Sequence, residues 1–201
     1  MKSNALCRLQ IIVLAAGFSS RLGQNKALAR VHGVSLLRRA LTTAASLGAS
    51  RITVVIPRHA ARYRREARGL PANWAVNTRR AQGLSSSVRA GIAAARRSAA
   101  ILIMPADLAD LKSRELERLV HRWQAAPRRL AARRIDRSGG APLILPRRLY
   151  GKALAIEGDT GLRHLIGQLP PDQRVLVELP SAAADVDTPE DLRNARRRYR
   201  S

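Results

Sequence analysis

A turn rich in hydrogen-bond donors and positive charge follows the first apolar run of the sequence. The run ends at Gly17, and Ser19, Arg21, Gly23 and Lys26 follow within nine positions. Glycines let backbone N–H groups approach and surround an anion. A guanidinium and an ammonium supply charge that several phosphate oxygens can share. These residue types predict a phosphate-binding turn, against the simpler alternative of a strand-to-helix connection with surface charge.

The spacing in this turn excludes two common phosphate motifs. The Walker pattern requires a lysine directly after its second glycine and then Ser or Thr. Here Gln24 and Asn25 separate Gly23 from Lys26, and Ala27 follows. The three glycines of the dinucleotide fingerprint are also missing at the required spacing.

Two acidic segments lie farther along the chain. Asp107 and Asp110 follow the apolar run 99–104, and Asp185 and Asp187 precede the last predicted helix. A carboxylate just past the C-terminal end of a buried strand faces the same edge of a parallel sheet as the phosphate turn. Mg²⁺ typically takes one or two carboxylates together with substrate phosphates and water. We expect Asp107, or alternatively Asp110, to bind metal, and one of the later aspartates to complete the site. Helix capping is the competing explanation for the later pair.

A third polar segment combines an amide with a run of serines. Asn77 follows a possible strand, and Gly83 precedes Ser85, Ser86 and Ser87 at the start of a predicted helix. Their side chains suit hydrogen bonds to a base or ribose, or alternatively helix capping.

Composition indicates one folded domain. The chain has 201 residues, 46% of them hydrophobic, and its longest apolar runs are too short to span a membrane. The N-terminal residues lack the apolar core of a secretory signal, and Cys7 is the single cysteine, so a cytoplasmic location is expected. The four histidines show no metal-binding or catalytic spacing: His32, His59, His121 and His164.

The formal net charge of +23 suggests an anionic partner. Only four of the 37 basic residues are lysine and aromatics make up 3%, which fits a compositional preference for arginine better than a nucleic-acid interface. We therefore expect an anionic small-molecule substrate, and neither a nucleic acid nor a membrane as partner. A non-catalytic nucleic-acid-binding protein is the alternative. It predicts steeply salt-dependent DNA binding and no need for the acidic segments.

Apolar periodicity predicts an α/β fold. Strands alternate with helices through the first half, which is typical of a mostly parallel sheet covered by helices on both faces. Ser113 and Thr188 are predicted helix N-caps, and Asp191 completes a capping box with Thr188. The predicted strands are 9–15, 51–56, 73–76, 99–104, 130–135, 142–145 and 174–178, and the predicted helices are 34–47, 60–68, 85–97, 113–124, 161–167 and 188–198.

Six motifs in order resemble the MobA-like nucleotidyltransferase family, and within it most closely the molybdenum cofactor cytidylyltransferases. They are LAAGFSSRLGQNK (14–26), Asn77 with GLSSSVRAGI (83–92), MPADLAD (104–110), GGAPLIL (139–145), GDTGLRHLI (158–166) and DVDTPEDL (185–192). The resemblance covers nearly the whole chain. It implies a Rossmann-like three-layer α/β/α fold with a nucleotide-binding half, residues 7–110, and an acceptor-binding half, residues 111–201.

The resemblance also implies an activity: transfer of a nucleoside monophosphate from CTP to Mo-molybdopterin, with release of pyrophosphate and with Mg²⁺ as cofactor. A molybdoenzyme or its insertion chaperone would then receive the product. The implied catalytic residues are Arg21, Lys26 and Asp107. The implied nucleotide-binding residues are Leu14, Ala15, Ala16, Gly17, Ser19, Arg21, Lys26, Asn77, Gly83 and Ser87. The implied metal ligands are Asp107 and Asp187, with Asp185 as the alternative to Asp187.

Three positions depart from the family pattern. Ala109 stands where a proline usually follows the acidic motif, Ala141 stands where a histidine is usual, and Ala27 replaces a leucine after Lys26. The change at Ala141 bears on the acceptor. Separately, a guanylyltransferase or a sugar-1-phosphate nucleotidyltransferase is the alternative within the same class, because the residues that read the base lie in variable loops.

Overall fold

A seven-stranded sheet forms the centre of the molecule. The computed structural model describes residues 9–17, 22–49, 51–136, 138–158, 161–183 and 185–198. The strands in these ranges are Leu9–Leu14 (β1), Arg30–Val31 (β2), Val34–Ser35 (β3), Arg51–Ile56 (β4), Asn73–Val76 (β5), Ala100–Pro105 (β6), Leu130–Ile135 (β7), Ser138–Pro146 (β8) and Arg174–Val177 (β9). The helices are Leu36–Ala45 (α1), Ala61–Glu66 (α2), Leu84–Ala95 (α3), Ser113–Gln124 (α4), Tyr150–Leu154 (α5), Gly161–Gln168 (α6) and Pro189–Arg198 (α7).

The sheet has the order β5-β4-β1-β6-β8-β7-β9. The pairs β4–β5, β1–β4, β1–β6 and β7–β9 are parallel, whereas β8 is antiparallel to both β6 and β7. The prediction of a mostly parallel sheet is therefore confirmed. In this topology the strands β1, β4, β5 and β6 end at one edge, where ligands of open α/β sheets bind.

Helices cover both faces of the sheet. On one face, Leu41 of α1 and Leu119 of α4 belong to a buried cluster with Ile11 of β1. On the other face, Ile92 of α3 belongs to a second cluster with Ile12 of β1. Alternate side chains of the strand thus enter opposite cores, as the two-residue period of a strand requires. The result is the expected three-layer α/β/α arrangement.

Helix α3 lies unusually close to the central strand. A Cβ placed on Gly91 would lie 2.6 Å from Ile12 Cγ2, so a larger residue at this position requires the helix or the strand to shift. The close approach brings the first turn of α3, with its three buried serines, toward the end of β1.

A two-stranded hairpin and α7 form a third, smaller core. The hairpin strands β2 and β3 are antiparallel, and Val31 is buried in one cluster with Val186, Leu192 and Ala195. Ala109 packs into the same cluster, so the position that departs from the family proline is a core position here. This contact between distant segments holds the start of α7 beside the end of β6.

The structure differs from the local predictions in several places. Val34 and Ser35, predicted as the start of a helix, form β3, and the helix begins at Leu36. Helix α4 begins at Ser113, but its N-cap is Lys112 and no side chain caps it, so Ser113 as N-cap is wrong. The strand predicted over 142–145 extends over Ser138–Pro146. The short helix Tyr150–Leu154 was not predicted. Among the described helices, none has the length and apolar character needed to cross a bilayer.

Candidate active site

A cleft of about 240 Å³ lies at the C-terminal ends of β1 and β6. Six residues predicted to bind the nucleotide, catalyse or bind metal line it: Leu14, Ala15, Gly17, Lys26, Ser87 and Asp107. The remaining walls come from Ala27, Leu84, Pro105 and Ala106. Segments that are far apart in sequence thus converge where the parallel strands end. The predicted residues Ser19 and Arg21 lie outside the described residues.

The glycine turn opens directly into this cleft. A Cβ placed on Gly17 would meet no atom of the described residues within 4 Å, apart from its chain neighbours. Gly23 has a φ of +67°, a conformation that glycine adopts without strain. Beyond it, a single 3-10 turn begins at Lys26. The Asn25 amide donates a hydrogen bond to the Tyr63 hydroxyl, which ties the backbone before Lys26 to α2.

Arg80, which is not among the predicted site residues, also contacts the glycine turn. Arg80 Nη2 donates to the carbonyl oxygen of Gly17 at 3.0 Å. The residue lies in the loop between β5 and α3, and it also lines a wider cleft beside the first one. Its charge is thereby placed beside the turn predicted to bind phosphate. The pair of arginines in the segment between Asn77 and Gly83 is the signal that could have indicated it.

Asp107 is the second residue after the end of β6. The N–H of Ala106 donates to Leu14 O at 3.0 Å, so the chain ends of β6 and β1 are hydrogen-bonded to each other. The N–H of Val186 donates to Asp107 O at 3.3 Å, and Leu108 pairs with Asp185 as an isolated antiparallel bridge. These backbone contacts bring the two acidic segments together.

Lys26 lies between the two acidic segments. Its ammonium contacts Asp187 Oδ1 directly and lies 3.8 Å from Asp107 Oδ2. The predicted metal ligands Asp107 and Asp187 therefore converge on one cation. Asp185 points instead toward Arg133, whose Nη1 lies 3.8 Å from Asp185 Oδ1, while Asp110 pairs with Arg198 at 2.6 Å.

The environment of Asp107 penalises its charge. Burial, which is the largest cause, and the nearby carboxylate of Asp185 together raise the pKa of the Asp107 carboxyl from 3.8 to about 6, against the opposing effect of the Lys26 ammonium. Asp107 Oδ1 is buried and has no hydrogen-bond partner among the described residues. An unsatisfied buried carboxylate oxygen costs free energy unless a ligand completes its coordination.

Asp187 is held by the capping box of α7, as predicted. The Asp191 carboxylate accepts from the N–H groups of Asp187 (3.1 Å) and Thr188 (2.8 Å), and the N–H of Asp191 donates to Thr188 Oγ1 (3.2 Å). Its hydrogen bonds with Thr188 lower the pKa of Asp191. The Asp191 carboxylate is thus used in capping, whereas the Asp187 carboxylate of the same segment contacts Lys26.

Asn77 is buried and its amide is engaged inside the protein. Its Nδ2 donates to Ser86 Oγ at 2.8 Å and to Ser87 Oγ at 3.0 Å, while its Oδ1 accepts from the N–H of Arg79 at 2.9 Å. Ser86 in turn donates to Gly83 O at 2.7 Å. The structure gives Asn77 a bracing position between β5 and the first turn of α3, whereas Ser87 of that turn lines the cleft.

Two other predicted nucleotide-binding residues do not present side chains to the cleft. Ala16 packs in the core shared with α3. Gly83, with a φ of +81°, is the N-cap of α3. Ala141 lies on β8, beside the bulge where the β7–β8 register shifts between Ala132 and Arg133.

The donor set fits a hard divalent cation completed by substrate. Within the described part of the chain, no three His, Cys, Asp or Glu side chains gather as a self-sufficient metal site. Asp107 and Asp187 supply two carboxylates, and Asp107 Oδ1 is buried without a hydrogen-bond partner among the described residues. Two carboxylates plus phosphate oxygens and water is the arrangement that Mg²⁺ favours.

Comparisons with known proteins identify the family of the chain. Residues 11–174 match the MobA-like NTP transferase domain. A 3-phospho-D-glycerate guanylyltransferase from Colwellia psychrerythraea is 34% identical over 97 residues, which are 45% of this chain and 43% of that relative, so the match spans less than half of the relative's length.

Solved structures share the fold over almost the entire chain. Rv0371c from Mycobacterium tuberculosis superposes with a TM-score of 0.75 at 25% identity, covering 94% of this chain and 98% of the other. The same protein is also known as a complex with manganese, with a TM-score of 0.73 at 22% identity and the same coverage. A nucleotidyl transferase from Methanothermobacter thermautotroptrophicus has a TM-score of 0.80 at 20% identity, covering 96% and 97%.

Proposed function

Because the chain belongs to the MobA-like NTP transferase domain family, and is therefore a nucleotidyltransferase, we propose that its donor is CTP and its acceptor is Mo-molybdopterin. The observation that supports nucleotidyl transfer at this site is the convergence of Asp107 and Asp187 on Lys26, which lines the same cleft as Gly17. The Ala15-Ala16-Gly17 sequence supports CTP, since it resembles the cytidylyl branch of the family. Molybdenum cofactor biosynthesis is then the process served, and a molybdoenzyme or its insertion chaperone is the recipient of the product.

The chemistry needs positioning more than proton transfer. A terminal phosphate oxygen of the acceptor forms a bond to the α-phosphorus of the nucleotide. The bond between that phosphorus and the bridging oxygen breaks, and pyrophosphate leaves with the electron pair. The nucleophile is already ionised near pH 7, so the protein contributes mainly orientation and charge neutralisation. Lys26 is placed to neutralise the departing pyrophosphate. Arg21 is proposed to share this task.

We propose Mg²⁺ as the cofactor, with Asp107 and Asp187 as its protein ligands. When bound, the ion neutralises phosphate charge and orients phosphate oxygens. The manganese complex of Rv0371c supports a divalent cation in this fold. The buried oxygen of Asp107, which has no hydrogen-bond partner among the described residues, supports its position in this chain.

The two halves of the chain take different substrates in this proposal. Residues 7–110 contribute the glycine turn, Asn77, Ser87 and Asp107, and bind the nucleotide. Residues 111–201 bind the acceptor and contribute Asp187. Ser87 faces the cleft and is suited to a base or ribose oxygen, with Asn77 holding its hydroxyl in place.

A second candidate keeps the reaction and changes both substrates. The Colwellia psychrerythraea relative is a 3-phospho-D-glycerate guanylyltransferase, which supports GTP as donor and a small phosphorylated carboxylic acid as acceptor. The absence of the family histidine at Ala141 is compatible with a different acceptor.

Product analysis distinguishes the candidates. Purified protein is incubated with CTP, GTP or ATP, with Mg²⁺, and with either Mo-molybdopterin or 3-phospho-D-glycerate, and pyrophosphate and product mass are measured. Pyrophosphate release with CTP and the pterin is the expected result, with the Lys26→Ala variant as inactive control. Turnover only with GTP and the phosphoglycerate would replace the first candidate with the second. No turnover with any pair would reject both substrate assignments.

A further inference from the structure

The Lys26 ammonium occupies the place between the two carboxylates proposed to bind metal. It contacts Asp187 Oδ1 and lies 3.8 Å from Asp107 Oδ2. A monovalent side-chain cation thus lies where the proposed function requires a divalent one. Two cations cannot share these oxygens without strong repulsion at such distances.

The ammonium leaves the carboxylates incompletely neutralised. Asp107 Oδ1 is buried without a hydrogen-bond partner among the described residues, and Asp185 adds a third negative charge nearby. Arg133 lies 3.8 Å from that third carboxylate. The three carboxylates of Asp107, Asp185 and Asp187 therefore still favour a further positive charge in addition to that of Lys26.

The geometry allows Lys26 to leave the carboxylates without moving the backbone. Its 3-10 turn is fixed by the contact of Asn25 with Tyr63 and by the N–H of Ala29, which donates to the carbonyl oxygens of Asn25 and Lys26 at 3.0 Å each. The side chain beyond this anchored backbone is long, flexible and partly exposed, at 21%. The same side chain lines the cleft beside Gly17, so phosphate oxygens bound there would lie within the region that it can reach.

We propose that Lys26 is a tethered substitute for the metal ion. In the nucleotide-free protein its ammonium holds Asp107 and Asp187 together. When nucleotide and divalent metal arrive, the metal replaces the ammonium on the carboxylates, and the ammonium transfers to the phosphates. Lys26 therefore opposes binding of metal alone and favours binding of metal with nucleotide. The inference rests on the proposed function for the identity of the site, and it concerns the order in which its ligands bind.

Binding of Mn²⁺ alone tests the exchange. Free Mn²⁺ is measured by electron paramagnetic resonance during titration of nucleotide-free protein. The Lys26→Met variant keeps the length of the side chain and removes the competing charge, so its affinity for Mn²⁺ is expected to rise about 10-fold, the lower end of what one charge at this distance does to a carboxylate. Lys26→Arg retains the competing charge and is expected to stay near the wild-type affinity.

The matched control removes a charge from the same edge of the sheet. Arg79 is exposed and its backbone N–H, not its side chain, bonds to Asn77. Arg79→Met is expected to change Mn²⁺ affinity by less than about 2-fold, because the charge lost is exposed and screened by solvent. Circular dichroism of each variant verifies that it is folded.

A second titration includes CTP or GTP. In the wild-type protein, nucleotide is expected to raise Mn²⁺ affinity much more than it does in Lys26→Met, since only the wild-type protein has an ammonium to transfer. Equal or weaker Mn²⁺ binding by nucleotide-free Lys26→Met would overturn the exchange, as would no Mn²⁺ binding by either protein. The Mn²⁺ titrations require no turnover. Tighter Mn²⁺ binding by nucleotide-free Lys26→Met, combined with no nucleotidyl transfer by the wild-type protein with any substrate pair, would therefore retain the exchange and reject the proposed function.

Discussion

Replacing Asp107 with asparagine is expected to stabilise the protein while it abolishes turnover. Burial, with Asp185 nearby, raises the pKa of Asp107 from 3.8 to about 6 in the folded chain. An acid whose pKa is higher when folded costs stability in its ionised form. The cost is absent below pH 3.8 and complete above pH 6. At about 1.4 kcal/mol per pH unit, the ionised carboxylate costs about 3 kcal/mol at pH 8 and roughly half as much at pH 5.

Urea unfolding of wild type and Asp107→Asn at pH 5 and pH 8 measures this cost. The variant is expected to be more stable by about 3 kcal/mol at pH 8, with the gain shrinking toward pH 5. Asp172→Asn is the control, because Asp172 is exposed on the turn before β9 and its loss is expected to stay within about 0.5 kcal/mol. A stability difference that is independent of pH, or a variant less stable than wild type at pH 8, would refute the assignment of burial as the dominant effect. Near-normal turnover by the variant would refute the catalytic assignment of Asp107.

Three further substitutions test the site and its supports. Lys26→Ala is expected to lower the turnover number by about 10²–10³, since one preorganised charge in a transition state contributes roughly 3–4 kcal/mol. Steady-state pyrophosphate release measures it, and a folded variant with wild-type turnover would contradict the role. Asn77→Ala removes the donor to Ser86 and Ser87 and is expected to lower the free energy of unfolding by about 1–3 kcal/mol and to raise the KM for nucleotide. Urea denaturation measures the free energy of unfolding, and steady-state kinetics measures the KM. If neither value changes, the hydrogen bonds of Asn77 do not stabilise the first turn of α3. Thr188→Ala removes the acceptor for the Asp191 N–H and is expected to cost about 1 kcal/mol in thermal unfolding. An unchanged melting temperature would mean that the capping box does not stabilise α7.

Local sequence rules were sufficient where one strong pattern acted alone. The apolar strands β1, β4 and β6 lie within a residue of their predicted positions because they are continuous hydrophobic runs closed by Gly or Pro. The capping box at Thr188 and Asp191 was predictable for the same reason, since both partners lie within one helical turn.

The same rules failed where tertiary packing decided the outcome. Glycines normally indicate a loop, yet Gly139 and Gly140 are strand residues in β8. A Cβ on Gly139 would lie 2.8 Å from Leu176 Cδ2, and one on Gly140 would lie 2.5 Å from Ile135 Cδ1. Because these glycines have no side chains, β7, β9 and α6 can pack closely against β8. Local sequence rules do not include contacts with such distant segments.

Hydrogen bonds between distant segments also escaped local rules. Ser113 was a plausible cap by type, but the helix starts at Lys112 as N-cap, and the carboxylate of Glu115 accepts instead from Ser181. Asn77 is predicted to bind nucleotide. Its hydrogen bonds to Ser86 and Ser87 depend on the packing of α3 beside β5, which local sequence patterns do not specify. The sequence predicted that Asp107 and Asp187 would lie near each other, but it did not predict the Lys26 ammonium between them.

The contact between Lys26 and Asp187 joins residues 161 positions apart in the chain. During synthesis at about 5–20 residues per second, Lys26 emerges roughly 8–30 s before its partner carboxylate. All seven strands of the sheet precede Asp187, so a nascent chain can complete its main hydrogen-bonded framework while the cleft still lacks one acid. A chain interrupted after β9 would therefore contain every strand of the sheet and still lack both Asp187 and the α7 residues that complete the third core.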